Sequence, residues 1–90
     1  MRTVYSELLN LPTTLTSVAT LTGKKGIWSD IELTFNTNTS PAYVGTIPIP
    51  AGSSQSRSFK SADIETLFIR TGASQSTTSD TVAISMVSQE

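Results

Sequence analysis

Ile27-Trp28-Ser29-Asp30-Ile31-Glu32-Leu33-Thr34-Phe35 is the stretch that decides the fold. Ile27, Ile31, Leu33 and Phe35 share one parity with Ser29, and Trp28, Asp30, Glu32 and Thr34 share the other. Successive side chains of a strand point to opposite faces, so this alternation predicts an antiparallel strand with a core face and a wet face. Trp28 falls on the wet side of that pattern. There it is either covered by an arm or loop or offered to a partner.

Outward from this strand, Gly23-Lys24-Lys25-Gly26 is a turn, because its glycines take positive φ at little cost. Upstream, residues 14–22 are rich in β-branched residues and predict a strand forming a hairpin across that turn. Pro12 separates residues 1–11, read as an N-terminal arm or edge strand, from a domain over residues 12–90. Downstream, Asn36-Thr37-Asn38-Thr39-Ser40-Pro41 is a loop and residues 42–47 are a short strand. Pro48 and Pro50 lack the N–H that a ladder needs, so this segment lies on a sheet edge or leaves the sheet. Residues 55–60 extend again, 61–65 make one helical turn, and 66–70 form another strand. A polar loop over 72–80 leads into the last strand, where Val82, Ile84 and Met86 share a face. Six to seven short strands between Gly, Pro, Ser and Asn turns predict an all-β protein, a small antiparallel sandwich or barrel.

Composition narrows the function. The chain has 90 residues, enough for one core. Serine and threonine number 14 and 15, about a third of the chain, while charged residues make up only 14%. It has no histidine and no cysteine, which excludes disulfides, Cys or His zinc sites, cysteine nucleophiles and Ser-His-Asp triads. A net charge of -1 offers no basic field for nucleic acid. No stretch approaches the roughly 20 apolar residues of a membrane-spanning helix. The first residues carry no apolar segment of the signal-peptide kind, so the expected location is the cytoplasm or release by lysis.

The candidate chemistry is sparse. Asp30 and Glu32 form a carboxylate pair on one strand face, and Asp63, Glu65 and Asp80 fall at loops where calcium is conceivable. Solvated faces account for both sets. Ser58 and Ser61 flank Lys60 without the spacing that a buried Ser-Lys dyad requires. Walker, GxGxxG and HExxH motifs are absent. The expectation is a protein that is not an enzyme and uses no cofactor or metal. Val4, Tyr5, Leu8 and Leu9 of the N-terminal arm, with Trp28 and Tyr43, are the candidate partner-interface residues.

One pattern goes beyond composition. The run Asn38-Thr39-Ser40-Pro41-Ala42-Tyr43-Val44-Gly45 is followed by Ile49-Pro50-Ala51-Gly52-Ser53-Ser54 and by Ile64-Glu65-Thr66-Leu67-Phe68-Ile69. Together with Gly26-Ile27-Trp28 it resembles small virion structural proteins of tailed bacteriophages, with Phe68 where a tyrosine is usual. The resemblance implies a β-sandwich that acts as a capsid decoration or cement protein. Such a protein bridges subunits of the major capsid protein, as a homo-oligomer such as a trimer or at multi-subunit junctions. It also implies location in the virion. A tail, fibre or baseplate module, with loops 36–41 and 72–80 facing a host surface or other virion proteins, is the second expectation. A small carbohydrate-binding module is the third. The arm over residues 1–11 is expected to dock on a neighbouring subunit.

Overall fold

The computed structural model describes residues 3–36, 38–73 and 80–88. Two antiparallel sheets of four strands enclose one apolar core, as the alternation predicts. In chain order the elements are β1 (Val4–Asn10), β2 (Thr16–Ser17), α1 (Val18–Thr22), β3 (Ile27–Phe35), β4 (Ala42–Val44), β5 (Ile47–Ile49), β6 (Gln55–Asp63), β7 (Phe68–Thr71) and β8 (Thr81–Ser88). The first sheet has the order β1-β8-β3-β6 and the second β2-β7-β4-β5. Strands that are neighbours in sequence are therefore mostly apart in the sheets, and the chain crosses between sheets to build the sandwich.

The central strands of the first sheet face inward through Ile31, Leu33 and Phe35 of β3 and Val82, Ile84 and Met86 of β8, all fully buried. Ala42, Val44, Ile49 and Ile69 supply the opposing layer, and Leu11, Val18 and Ile64 close its ends. Burying a side chain of this size contributes about 1.5–3 kcal/mol. Pro48 lies in β5, which is an edge strand, as its missing N–H requires.

Three expectations need correction. First, the face of Trp28 is inverted. Asp30 has φ 50 and the β3–β8 register shifts between Ser29 and Glu32, so a β-bulge divides β3. An inserted residue reverses the parity: Trp28 is 6% exposed and in the core, whereas Ile27 is 53% exposed.

Second, residues 18–22 are a short helix, so there is no hairpin across the Lys-Lys turn. Ser17 Oγ caps it by accepting from Thr20 N at 3.1 Å, and Gly23 ends it in the left-handed region at φ 73. Val18 N donates to Leu67 O at 2.8 Å and Ala19 N to Ile64 O at 3.1 Å, which gives first-turn donors tertiary partners. Caps and buried Val18 and Ala19 outweigh the β-propensity of the threonines.

Third, residues 61–63 continue β6, and the turn that follows is closed by Thr66 N donating to Asp63 O at 3.0 Å. Of the two readings of residues 1–11, arm or edge strand, residues 4–10 take the second. β1 pairs with β8 along its whole length, from Val4–Val87 to Asn10–Thr81, and Leu11 is buried behind it. Of the expected 72–80 loop, residues 74–79 lie outside the described residues.

Candidate functional site: the β1 edge and the pinned loop junction

Each residue singled out in the sequence has a definite place. Val4 and Leu8 lie on the outer face of the first sheet, 69% and 62% exposed. Across the strand pair they meet Val87 and Ala83, both half-buried, so two apolar cross-strand pairs lie on this face of the β1–β8 ladder, on either side of the Ser6–Ser85 pair. Tyr5 and Leu9 point the other way and pack against the core. Tyr5 Oη donates to Glu7 Oε2 at 2.8 Å. Burial, that hydrogen bond and the charge of Glu7 together push the phenol from 10.0 up to about 12. Four of the six predicted interface residues therefore share one edge strand, two on each face.

Trp28 does not join them. Its indole Nε1 donates to Lys25 O at 3.0 Å and anchors the Gly23–Gly26 turn from inside the core. Tyr43 lies in the other sheet, half-buried, with the Arg70 guanidinium 4.2 Å above its ring centre. Neither extends the β1 surface.

The acidic candidates also separate. Asp30 and Glu32 are exposed around the bulge and line a shallow cleft with Ser58, Phe59 and Lys60. Asp63 Oδ1 accepts from Glu65 N at 3.0 Å, which organises a turn. Among the described residues no three carboxylates come together as a metal site.

Asp80 is the residue that sequence reasoning misplaced. Read as a solvated loop carboxylate, it is fully buried. Its Oδ1 accepts from Thr39 N at 2.9 Å, Thr39 Oγ1 at 3.0 Å and Ser40 N at 3.3 Å. Its Oδ2 accepts from Thr71 Oγ1 at 3.2 Å. Burial pushes its pKa up, but the hydrogen bonds from Thr39, Ser40 and Thr71 outweigh that and hold it below the ordinary 3.8. The same junction receives Leu11 N on Asp80 O at 3.0 Å and Thr71 N on Pro12 O at 2.8 Å. Asp80 thus ties the start of β8 to the β3–β4 loop and the end of β7. The signal available in sequence was the Asn-Thr-Ser run at 38–40, whose side chains and backbone favour Asx and hydroxyl turns.

Buried side-chain polar atoms among the described residues all have partners, so the interior holds no unmatched group aimed at a ligand. No family model matches this chain, and no curated protein or solved structure does either.

Proposed function

We propose that this chain is a non-catalytic structural protein of a tailed-bacteriophage virion, which decorates the capsid and stabilises the shell by bridging subunits. The observation that carries the reading is the exposed apolar pair on β1. Val4 and Leu8 stand largely exposed beside Val87 and Ala83, on a sheet face that is otherwise mainly polar apart from Ile27. Apolar side chains grouped on a small rigid domain serve contact with other proteins. The resemblance in the 38–45, 49–54 and 64–69 segments supplies the virion as the setting.

The mechanism is mechanical. A subunit that binds across a seam of the major capsid protein stabilises the assembled shell by mass action, since disassembly must first release it. Many copies on one lattice act together, so each contact can be modest. The locked loop junction suits this role because a rigid body loses little conformational entropy on docking.

Quantitative mass spectrometry of purified particles tests the proposal. A copy number equal to the major capsid protein, or a simple fraction of it, is the expected result. A few copies per particle would transfer the chain to a tail or fibre. Absence from particles would overturn the virion reading altogether.

A further inference from the structure

Resting on the structural reading above, we infer that the free edge of β1 is a strand-pairing site whose occupant is the β1 of a second copy. The two copies would join antiparallel about a two-fold axis into one continuous eight-stranded sheet.

The hydrogen-bonding phase of β1 comes first. Ser88 N donates to Thr3 O at 2.8 Å, and Leu11 N donates to Asp80 O at 3.0 Å. With the register Val4–Val87 to Asn10–Thr81, these bonds fix the odd-numbered residues as those that exchange bonds with β8. The N–H and C=O groups of Val4, Ser6, Leu8 and Asn10 therefore turn away from the sheet, at an edge beyond which no further strand lies among the described residues. That row is a template for another strand.

The other edges carry stronger blocking devices than β1, whose one charge is Glu7. β6 carries Arg57, Lys60 and Asp63 along its length. β5 has Pro48 within it, with Pro50 next to its end. β2 is two residues long and runs straight into α1. Charge, proline and brevity are the means by which proteins keep edges from pairing. β1 is seven residues long, has neither proline nor lysine, and shows no register shift against β8. One open edge per copy also explains why growth would stop at two: an isologous pair uses both open edges and leaves only blocked ones.

Self-complementarity selects the register. Opposed residues of an antiparallel pair share a face, so Ser6 or Glu7 can sit on the two-fold axis. Placing Glu7 on the axis would oppose it to the partner's Glu7, the one charged position in the strand against itself, which is unfavourable. Placing Ser6 on the axis instead sets Val4 against the partner's Leu8 and Tyr5 against the partner's Glu7. The outer face then gains two apolar cross-strand pairs, one on each side of the central serine pair, and the inner side matches a phenol hydroxyl to a carboxylate. A single strand pair buries less than the roughly 1,200 Å² of a stable interface. The dimer is accordingly weak in solution and is reinforced where copies are held together on a lattice.

The chain has no cysteine, so one engineered thiol gives an unambiguous test. Opposed residues in a hydrogen-bonded antiparallel pair have Cα atoms about 5.5 Å apart, within disulfide range. Ser6→Cys is expected to form a covalent dimer under mild oxidation. Ser58→Cys, equally exposed but on the β6 edge, is expected to stay monomeric in the same conditions. Sedimentation velocity of the unmodified protein should show a concentration-dependent monomer–dimer equilibrium. Leu8→Lys, a change at an exposed position that leaves the β8 ladder intact, should weaken it by about tenfold or more. A protein that stays monomeric at its highest soluble concentration would overturn the pairing. A dimer unaffected by Leu8→Lys, or equal cross-linking through both cysteines, would overturn its placement on β1. Each result is independent of the copy number in particles, so a monomer abundant in virions would remove this inference and leave the decoration reading standing.

Discussion

The side-chain amide of Asn38 pairs with the backbone of Thr81 as a strand residue would: Nδ2 donates to Thr81 O at 3.1 Å, and Oδ1 accepts from Thr81 N at 3.1 Å. Asn38 is 3% exposed, and its own carbonyl accepts from Gly52 N at 2.9 Å. One residue therefore joins the β3–β4 loop to the first residue of β8 through its side chain and to the turn before β6 through its carbonyl. Asp80, the preceding residue, completes the junction with Thr39, Ser40 and Thr71.

Asn38→Ala leaves both the N–H and the C=O of Thr81 without their partner in a buried setting. An unsatisfied buried group costs about 1–3 kcal/mol. We expect a loss of about 2–4 kcal/mol in urea unfolding, with an unchanged m-value because the surface exposed on unfolding is the same. Asn38→Ser, which keeps an oxygen but cannot span both groups, should recover only part of it.

Asp80 sets an acid limit on stability. Its folded pKa lies below the unfolded value of 3.8, so the native state binds fewer protons than the unfolded chain in the interval between them. The stabilisation is therefore present above the unfolded pKa and is lost as pH falls through the folded one. Asp80→Asn should be less stable than the unmodified protein at neutral pH, because an amide nitrogen replaces one of the accepting oxygens. Its stability should also decline less steeply below pH 3.8. Denaturant melts across that interval measure both slopes; parallel acid limbs would remove Asp80 from the explanation.

Gly72 and Gly45 make a controlled pair. A Cβ on Gly72 would lie 2.8 Å from Pro41 O and 3.2 Å from the Tyr43 ring, where Gly72 N donates to that same Pro41 carbonyl. Gly45 has φ 62 and nothing within 4 Å of a would-be Cβ. Gly72→Ala must push two strands apart and is expected to cost about 1–3 kcal/mol. Gly45→Ala meets only backbone strain of about 1 kcal/mol. Thermal unfolding should rank Gly72→Ala as the more damaging.

Trp28 is the only tryptophan, so its fluorescence reports one site. Burial in the core predicts blue-shifted emission with weak quenching by acrylamide, moving to the red on unfolding. Trp28→Phe removes the Nε1 bond to Lys25 O and leaves that carbonyl to water, at a cost of about 1–2 kcal/mol. Red emission in the folded protein would instead place the indole on an accessible face.

The strands with strict period-2 patterning were legible in sequence. Residues 81–88 and the second half of β3 bury the side chains their alternation selects. The first half of β3 misled because one residue, Asp30, adopts the left-handed region; aspartate tolerates it, but nothing local demands it. α1 was hidden because its helix signals are a serine cap and a glycine stop around β-branched residues, and the partners of its first N–H groups come from residues 64 and 67. The Asp80 junction draws on segments 38–40, 71 and 80, which only the folded chain brings together. The β1 surface was partly legible. Val4, Tyr5, Leu8 and Leu9 stood out as apolar, but their division between core and outer face required the register with β8.

The most direct measurement of the central claim, that β1 offers a free backbone edge for pairing, is amide hydrogen exchange by NMR at low and high protein concentration. Amides of Tyr5, Glu7 and Leu9, bonded to β8, should be protected at both concentrations. Those of Val4, Ser6 and Leu8 should exchange fast in dilute solution and gain protection as concentration rises. Fast exchange of these three amides that does not change with concentration would contradict the account.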